Sequence, residues 1–244
     1  MTIGQLNSRA VVRVSPLDES EDAAAFLQGL LTNDVTGTLP VYAALLTAQG
    51  KTMVDMLVWR DEHDILLECE AAEAETLAKR LSLYRLRRKL DIAVDAGLAA
   101  FWSDEAADGF VPDPRLPALG YRRLGAISTG ADGVDESYLD QRLSSGVAEG
   151  STELGDILWL ETNAAELGGV SFTKGCYIGQ ENTARMNWRQ KINRRVVVVP
   201  LAQSQEKRCK AAYPALGLAV DHLRVDDIPA EAVPDWMTLA AGEA

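Results

Sequence analysis

Eight consecutive residues, Lys174-Gly175-Cys176-Tyr177-Ile178-Gly179-Gln180-Glu181, gather more reactive side chains than any other stretch of the chain. A thiol sits between two glycines, and a lysine precedes it by two positions. The thiolate, not the thiol, is the nucleophile and metal ligand, and a cation that meets the sulfur favours that form. Glycines four apart let the backbone reach positive φ or approach a ligand closely. Gln180 and Glu181 lead into Asn182-Thr183-Ala184-Arg185, which reads as a helix start whose free N–H groups attract anions. The same residues equally describe a buried cysteine in a turn, packing as a small hydrophobe.

Positioning such a loop requires a scaffold, and hydrophobic periodicity supplies one. Residues 9–14 read as a first strand, and Asp18 with Glu21 reads as a capping box for a helix that buries Ala23, Phe26, Leu27, Leu30 and Leu31. Residues 41–48 and 52–60 form two strand-like runs around Gln49-Gly50-Lys51, a hairpin signal. A strand over 65–70 precedes a helix over 71–86 with Ala74, Leu77, Ala78 and Leu81 inward. Short strands follow at 90–94, 98–102 and 120–127, then a helix at 136–143 and a loop at 146–155. From about residue 192 the composition shifts to a β-branched run, Val196 to Val199, which suggests a small β module. The alternating run Leu67-Glu68-Cys69-Glu70 makes Cys69 a strand residue of the core.

Composition narrows the function classes. The chain has 244 residues and a formal net charge of −12, which argues against general binding to nucleic acid or anionic membranes, since both need a positive field. Cys69, Cys176 and Cys209 are widely separated, and neither they nor His63 and His222 show metal-ligand spacing, so no metal site is expected. No basic-flanked apolar leader and no run of about 18 apolar residues is present. Free thiols without a leader point to the cytoplasm.

The signature stretch resembles that of the folate-binding YgfZ family, relatives of the glycine-cleavage T-protein, in which a Lys-Gly-Cys-Tyr-x-Gly-Gln-Glu run is the hallmark. Further fragments are similar to that family in the same order. They are the run from Phe26 to Val35, Leu45 to Lys51, Tyr84 to Lys89, Asp113 to Pro117, and Leu160-Glu161-Thr162-Asn163 leading into Gly169 to Phe172. The similarity covers about residues 10 to 200.

The resemblance implies an α+β fold. Antiparallel sheets and helices surround a central hole in a folate-binding body (1–191), followed by an abbreviated β-barrel-like module (192–244). It implies tetrahydrofolate or a derivative as cofactor, and a role as an accessory factor in iron–sulfur cluster assembly or repair, with iron–sulfur client or assembly proteins as partners. Cys176 is then the functional thiol, with Lys174 beside it. One thiolate cannot hold a cluster that takes four ligands, so a partner must supply the rest.

Glu161 falls where the T-protein relatives hold the pterin, whose donor–donor edge suits a carboxylate. Tyr177, Gln180, Arg85, Arg87 and Arg185 complete the expected cofactor contacts. The arginines come from two basic clusters, residues 85–89 and the group Arg185, Arg189, Lys191, Arg194 and Arg195, suited to a glutamate tail. A solvated basic face is the alternative for both. The transferase relatives use an aspartate in a Gly-Gly-x-x-Asp-Asp strand. Here Val54 takes the first acidic position and only Asp55 remains, facing the other way. That departure favours an accessory factor over an active aminomethyltransferase acting through Asp55. A folate-free interaction module is the third reading.

Overall fold

Strict alternation along one strand organises the body. In the strand Thr52–Asp61 (β4), Val54, Met56 and Val58 face one side while Asp55, Leu57 and Trp59 face the other. Its neighbours follow the same rule, giving a five-stranded antiparallel sheet. The order is Val41–Leu46 (β3), β4, Asp64–Glu70 (β5), Arg9–Pro16 (β2) and Leu90–Val94 (β6). On the first face, Val12, Val14, Leu67 and Cys69 pack beneath Ala23–Gln28 (α1) and Ala74–Arg85 (α2). The computed structural model describes residues 1–128, 130, 133–189 and 192–239.

The second face meets a four-stranded antiparallel sheet, ordered Ile3–Leu6 (β1), Leu98–Ser103 (β7), Tyr121–Ala126 (β9) and Val111–Pro112 (β8). Asp135–Ser144 (α3) buries Tyr138 against Trp102, and a short helix, Ser151–Leu154 (α4), follows. Gln180–Arg189 (α5) then leads to a three-stranded sheet ordered Arg194–Pro200 (β10), Leu218–Arg224 (β12) and Cys209–Tyr213 (β11). One face of that sheet, Val196, Val198 and Val220, shares a core with Leu143, Leu154 and Ile157 of the body. Its other face is covered by Ala232 and Met237.

Three expectations are corrected. The first helix is capped by Asp22, whose carboxylate accepts from Ala25 N–H, and it ends at Gln28, before Leu30 and Leu31. Asp18 and Glu21 instead pair with Lys89 and Arg88. Residues 146–155 are not all loop, because α4 lies within them. The C-terminal extension, in its described residues, is an open three-stranded sheet rather than a barrel.

Candidate functional site

The signature loop is seated on the β3–β4 hairpin by interlocked glycines. In the hairpin, Gly50 N–H donates to Thr47 O (2.9 Å) and Gly50 has φ +76°. Gly179 has φ +80°, and a Cβ there would stand 2.4 Å from Thr47 O and 3.0 Å from Gly50 Cα. Only glycine meets both demands at once. Asn182 Nδ2 then donates to Gln49 O (2.6 Å), and Trp159 N–H to Gly50 O (3.0 Å). Gly175, by contrast, faces open space.

A second seam fastens the loop's front. Thr32 Oγ1 donates to Gly169 O (2.7 Å), Asn33 Nδ2 to Gly168 O (2.7 Å), and Ser171 N–H to Thr32 O (3.0 Å). The Lys174 ammonium donates to Leu31 O and Asn33 O and lies 5.1 Å from the centre of the Tyr177 ring. Partial burial pulls its pKa down to about 8, against the pull of Asp34. Lys174 is therefore an anchor of the loop, and its charge is engaged by backbone carbonyls rather than by the thiol. Tyr177 is buried in the core cluster with Tyr42 and Trp159, and Gln180 Oε1 accepts from Tyr177 N–H (3.3 Å). With its neighbours so committed, Cys176 stands exposed on a rigid seat.

The three thiols differ in access. Cys69 is fully buried, and burial pushes its pKa up to about 12, while Cys209 is half-buried with its Sγ directed to Ala211 O. Iodoacetamide is expected to modify Cys176 first in the folded protein and Cys69 only after denaturation, as read by peptide mass spectrometry. Rapid native-state labelling of Cys69 would contradict this placement.

Glu161 lies in a 3-10 turn, Trp159–Thr162, between α5 and the C-terminal sheet. Its Oε2 is 2.9 Å from His222 Nε2 on β12, and only 13% of its side chain is exposed. Asn163, with φ +65°, ties the turn to β10 by donating to Val196 O (2.8 Å), and Arg195 pairs with Glu166 at 2.7 Å. The first basic cluster is spent locally: Arg85 donates to Leu90 O, Arg88 pairs with Glu21, and Lys89 with Asp18. Arg87 and Arg185 are exposed. Lys191 and the side chain of Arg189 lie outside the described residues.

The two sheets enclose an ion network that sequence reasoning missed. Glu68 on β5 pairs with Arg122 (2.8 Å) and Arg9 (3.4 Å), and it accepts from Trp59 Nε1 (3.2 Å). Asp113 pairs with Arg115 (2.7 Å) and Arg122 (3.2 Å), while Glu149 meets Arg9 and Arg115 and accepts from Tyr138 (2.7 Å). All of these charged groups except Glu149, which is nearly so, are buried. Burial alone would raise Glu149, but Arg9, Arg115 and Arg122 hold it well below the usual carboxylate range. Asp113 is likewise lowered by Arg115 and Arg122 in spite of its burial. The only sequence signal was Asp113-Pro114-Arg115.

Asp55 borders this network and is 2% exposed, accepting from Tyr42 OH and Gly150 N–H, both at 3.1 Å. Burial, then the charge of Glu149, raises its pKa. The folded state thus keeps a proton that the unfolded chain releases above 3.8, so this residue lowers stability as pH rises past that value. Asp55→Asn is expected to match or exceed the parent in stability at neutral pH and to lose less on going from acid to neutral, as measured by urea unfolding. A clear neutral-pH destabilisation would contradict it. A carboxyl so enclosed is poorly placed to meet a diffusing one-carbon donor.

Among solved structures, the chain superposes on the glycine cleavage system aminomethyltransferase T from Bartonella henselae with a TM-score of 0.63 and 11% identity, over 92% of this chain and 78% of that one. The fold is therefore T-protein-like. No family model matches the chain. It is 35% identical over 235 residues to the human protein named iron-sulfur cluster assembly factor IBA57, mitochondrial, covering 80% of this chain and 65% of that protein. The mouse protein of that name is 33% identical (82% and 66%), and a Pyricularia oryzae homologue is 36% identical (79% and 55%). The chain thus spans between about half and two thirds of the length of these curated relatives. Their names place them in mitochondria, which corrects the cytoplasmic expectation. Free thiols separate oxidising from reducing compartments and do not tell one reducing compartment from another.

Proposed function

Given that this chain is a homologue of the iron–sulfur cluster assembly factors named IBA57, we propose that it is itself an accessory factor in iron–sulfur cluster assembly or repair, with Cys176 as its working thiol. The observation that carries this reading is the accessibility of Cys176 on a loop that Lys174, Tyr177, Gln180 and Gly179 fasten to the body. A preorganised site needs its reactive group presented on a rigid support. The thiol gives up its proton to solvent and donates its thiolate to iron, and a partner protein supplies the remaining ligands. Lys174 acts through the loop, fixing where the sulfur stands. The YgfZ likeness of the signature supports the same class.

Tetrahydrofolate is the cofactor that the YgfZ likeness implies, and of the residues expected to grasp it Glu161, Arg85, Tyr177 and Gln180 are engaged elsewhere, while Arg87 and Arg185 are exposed. One oxygen of Glu161 is taken by His222, whereas a pterin edge needs two acceptors. Arg85 is tied to its own chain, and Tyr177 and Gln180 close the turn that holds the thiol. Asp55 is itself buried and committed to Tyr42 OH and Gly150 N–H. The transferase alternative loses its base with the burial of Asp55.

The test uses the native host with its chromosomal copy deleted. The wild-type chain is expected to restore the activity of [4Fe–4S] enzymes, and Cys176→Ser to fail at equal protein level, while Cys69→Ser, Cys209→Ser and Asp55→Asn succeed. Full restoration by Cys176→Ser would refute the assignment.

A further inference from the structure

A groove lies towards the far end of β4 from the hairpin that seats the signature loop. Trp59 stands there, seven residues along the strand from Thr52, or roughly 23 Å at the usual rise. The groove encloses about 260 Å³ and is walled by Trp59 and Leu66 from the five-stranded sheet and by Leu98 and Leu124 from the four-stranded one. The indole N–H of Trp59 is already spent on Glu68, so that wall offers only ring and hydrocarbon. Such a volume suits a small molecule, since pockets for drug-sized ligands are larger.

The cation of this groove is Arg123. The buried arginines Arg9, Arg115, Arg122 and Arg142 all meet carboxylates, whereas Arg123 meets aromatic rings. Its guanidinium carbon lies 4.8 Å from the centre of the Phe101 ring, its cross-strand partner, and 5.0 Å from that of Phe110. Gly109, at φ +73°, turns the chain over the side-chain stem, where a Cβ would stand 3.5 Å from Arg123 Cδ. Nε is shut in with no acceptor among the described residues. Because β8 covers β9 only at Tyr121 and Arg122, Arg123 stands at the edge of its sheet. The rings and the turn thus fix the guanidinium in advance, and a fork held this way loses little freedom on binding. The other charges of the lining do not compete for it. Asp61 pairs with Arg13 at 2.8 Å, and the exposed Arg60 makes a 3.4 Å bond to Val35 O and also borders the acidic run at 18–22. With two cations and one anion in the lining, a single added negative charge balances it.

We propose that this groove binds a small monocarboxylic acid with an apolar body, its carboxylate forked by Arg123 and its body lying against Trp59, Leu66 and Leu98. The planar guanidinium matches a carboxylate with two parallel hydrogen bonds. A ligand seated there touches both sheets and stabilises the folded chain by mass action. The site does not involve Cys176, so it stands or falls apart from the proposed function. A phosphate monoester presents a similar head with more charge, and it is the rival that the experiment separates.

The probe is 4-benzoylbenzoate, a carboxylate on an apolar, photoreactive body. In calorimetric titration of the full chain it is expected to bind saturably, on the order of tenfold tighter than the uncharged 4-benzoylbenzamide, and to raise the melting temperature. Arg123→Gln should abolish the preference for the acid, and Arg123→Lys should lose most of it, since an ammonium lacks the fork. Irradiation of the parent protein with the probe should label peptides containing residues 59–66, 98–110 or 121–124, read by mass spectrometry, a result that needs no variant to fold. Equal affinity of the parent for acid and amide, a preference for the acid that survives Arg123→Gln, or labelling confined to other peptides would each overturn the site. Displacement of the probe by phenyl phosphate at lower concentration than by benzoate would overturn it in favour of a phosphate ligand.

Discussion

Glu68→Ala is expected to lower the unfolding free energy by about 3–5 kcal/mol, the usual cost of removing one member of a buried ion pair. Two guanidinium groups, Arg9 and Arg122, reach its carboxylate from different sheets, and Trp59 donates to it as well. Without it, buried cations face one another and a donor loses its acceptor. For a chain of this size that loss is on the order of 10 °C in melting temperature. Guanidinium unfolding with an unchanged m-value is the measurement. A change below about 1 kcal/mol would show that water or rearrangement relieves the site.

The same network sets the acid limit of the fold. Glu149 and Asp113 have folded pKa values below their unfolded ones, so their contribution is present above the ordinary carboxylate range and is lost as pH falls from that range through the lower folded values. Asp55 works in the opposite direction. The molecule should therefore lose stability towards acid, as urea unfolding across the acid range would read.

Gly179→Ala is the second large effect. A methyl group would meet Thr47 O at 2.4 Å and the Gly50 backbone at 3.0 Å, and φ +80° is itself costly for alanine. Backbone lies on both sides, so no side chain can swing away. Strain and overpacking together cost about 2–5 kcal/mol. The loop is expected to lift from the hairpin, changing the rate at which Cys176 is alkylated. Gly175→Ala, next to the thiol but facing open space, should leave both stability and that rate near the parent's. Equal behaviour of the two variants would contradict the seating described for the loop.

Much of this scaffold was legible from periodicity. The hairpin around Gly50, the inward face of α2 and the helix after the signature all follow spacing rules, since one buried face leaves its mark every second or every third to fourth residue. Glu68 and Arg122 were not legible, because a polar residue at an outward strand position reads as solvated. Only the arrival of a second sheet, from a distant part of the chain, turns that face inward. Glu161 is similar, since its partner His222 lies 61 residues away. The basic run at residues 85–89 reads as a ligand site when taken without its complement. The acidic run at 18–22 pairs with it, and matching opposite charge runs would have found that.

The central claim is that the sulfur at position 176 takes part in putting clusters into other proteins. An apo [4Fe–4S] dehydratase, incubated anaerobically with ferrous iron, a sulfide donor and substoichiometric amounts of this chain, reports on it through recovered enzymatic activity. Wild-type protein is predicted to accelerate recovery, and Cys176→Ser, folded and equally stable, to leave the unassisted rate. Equal acceleration by the serine variant, or none by the wild type with its partner protein supplied, would contradict the account.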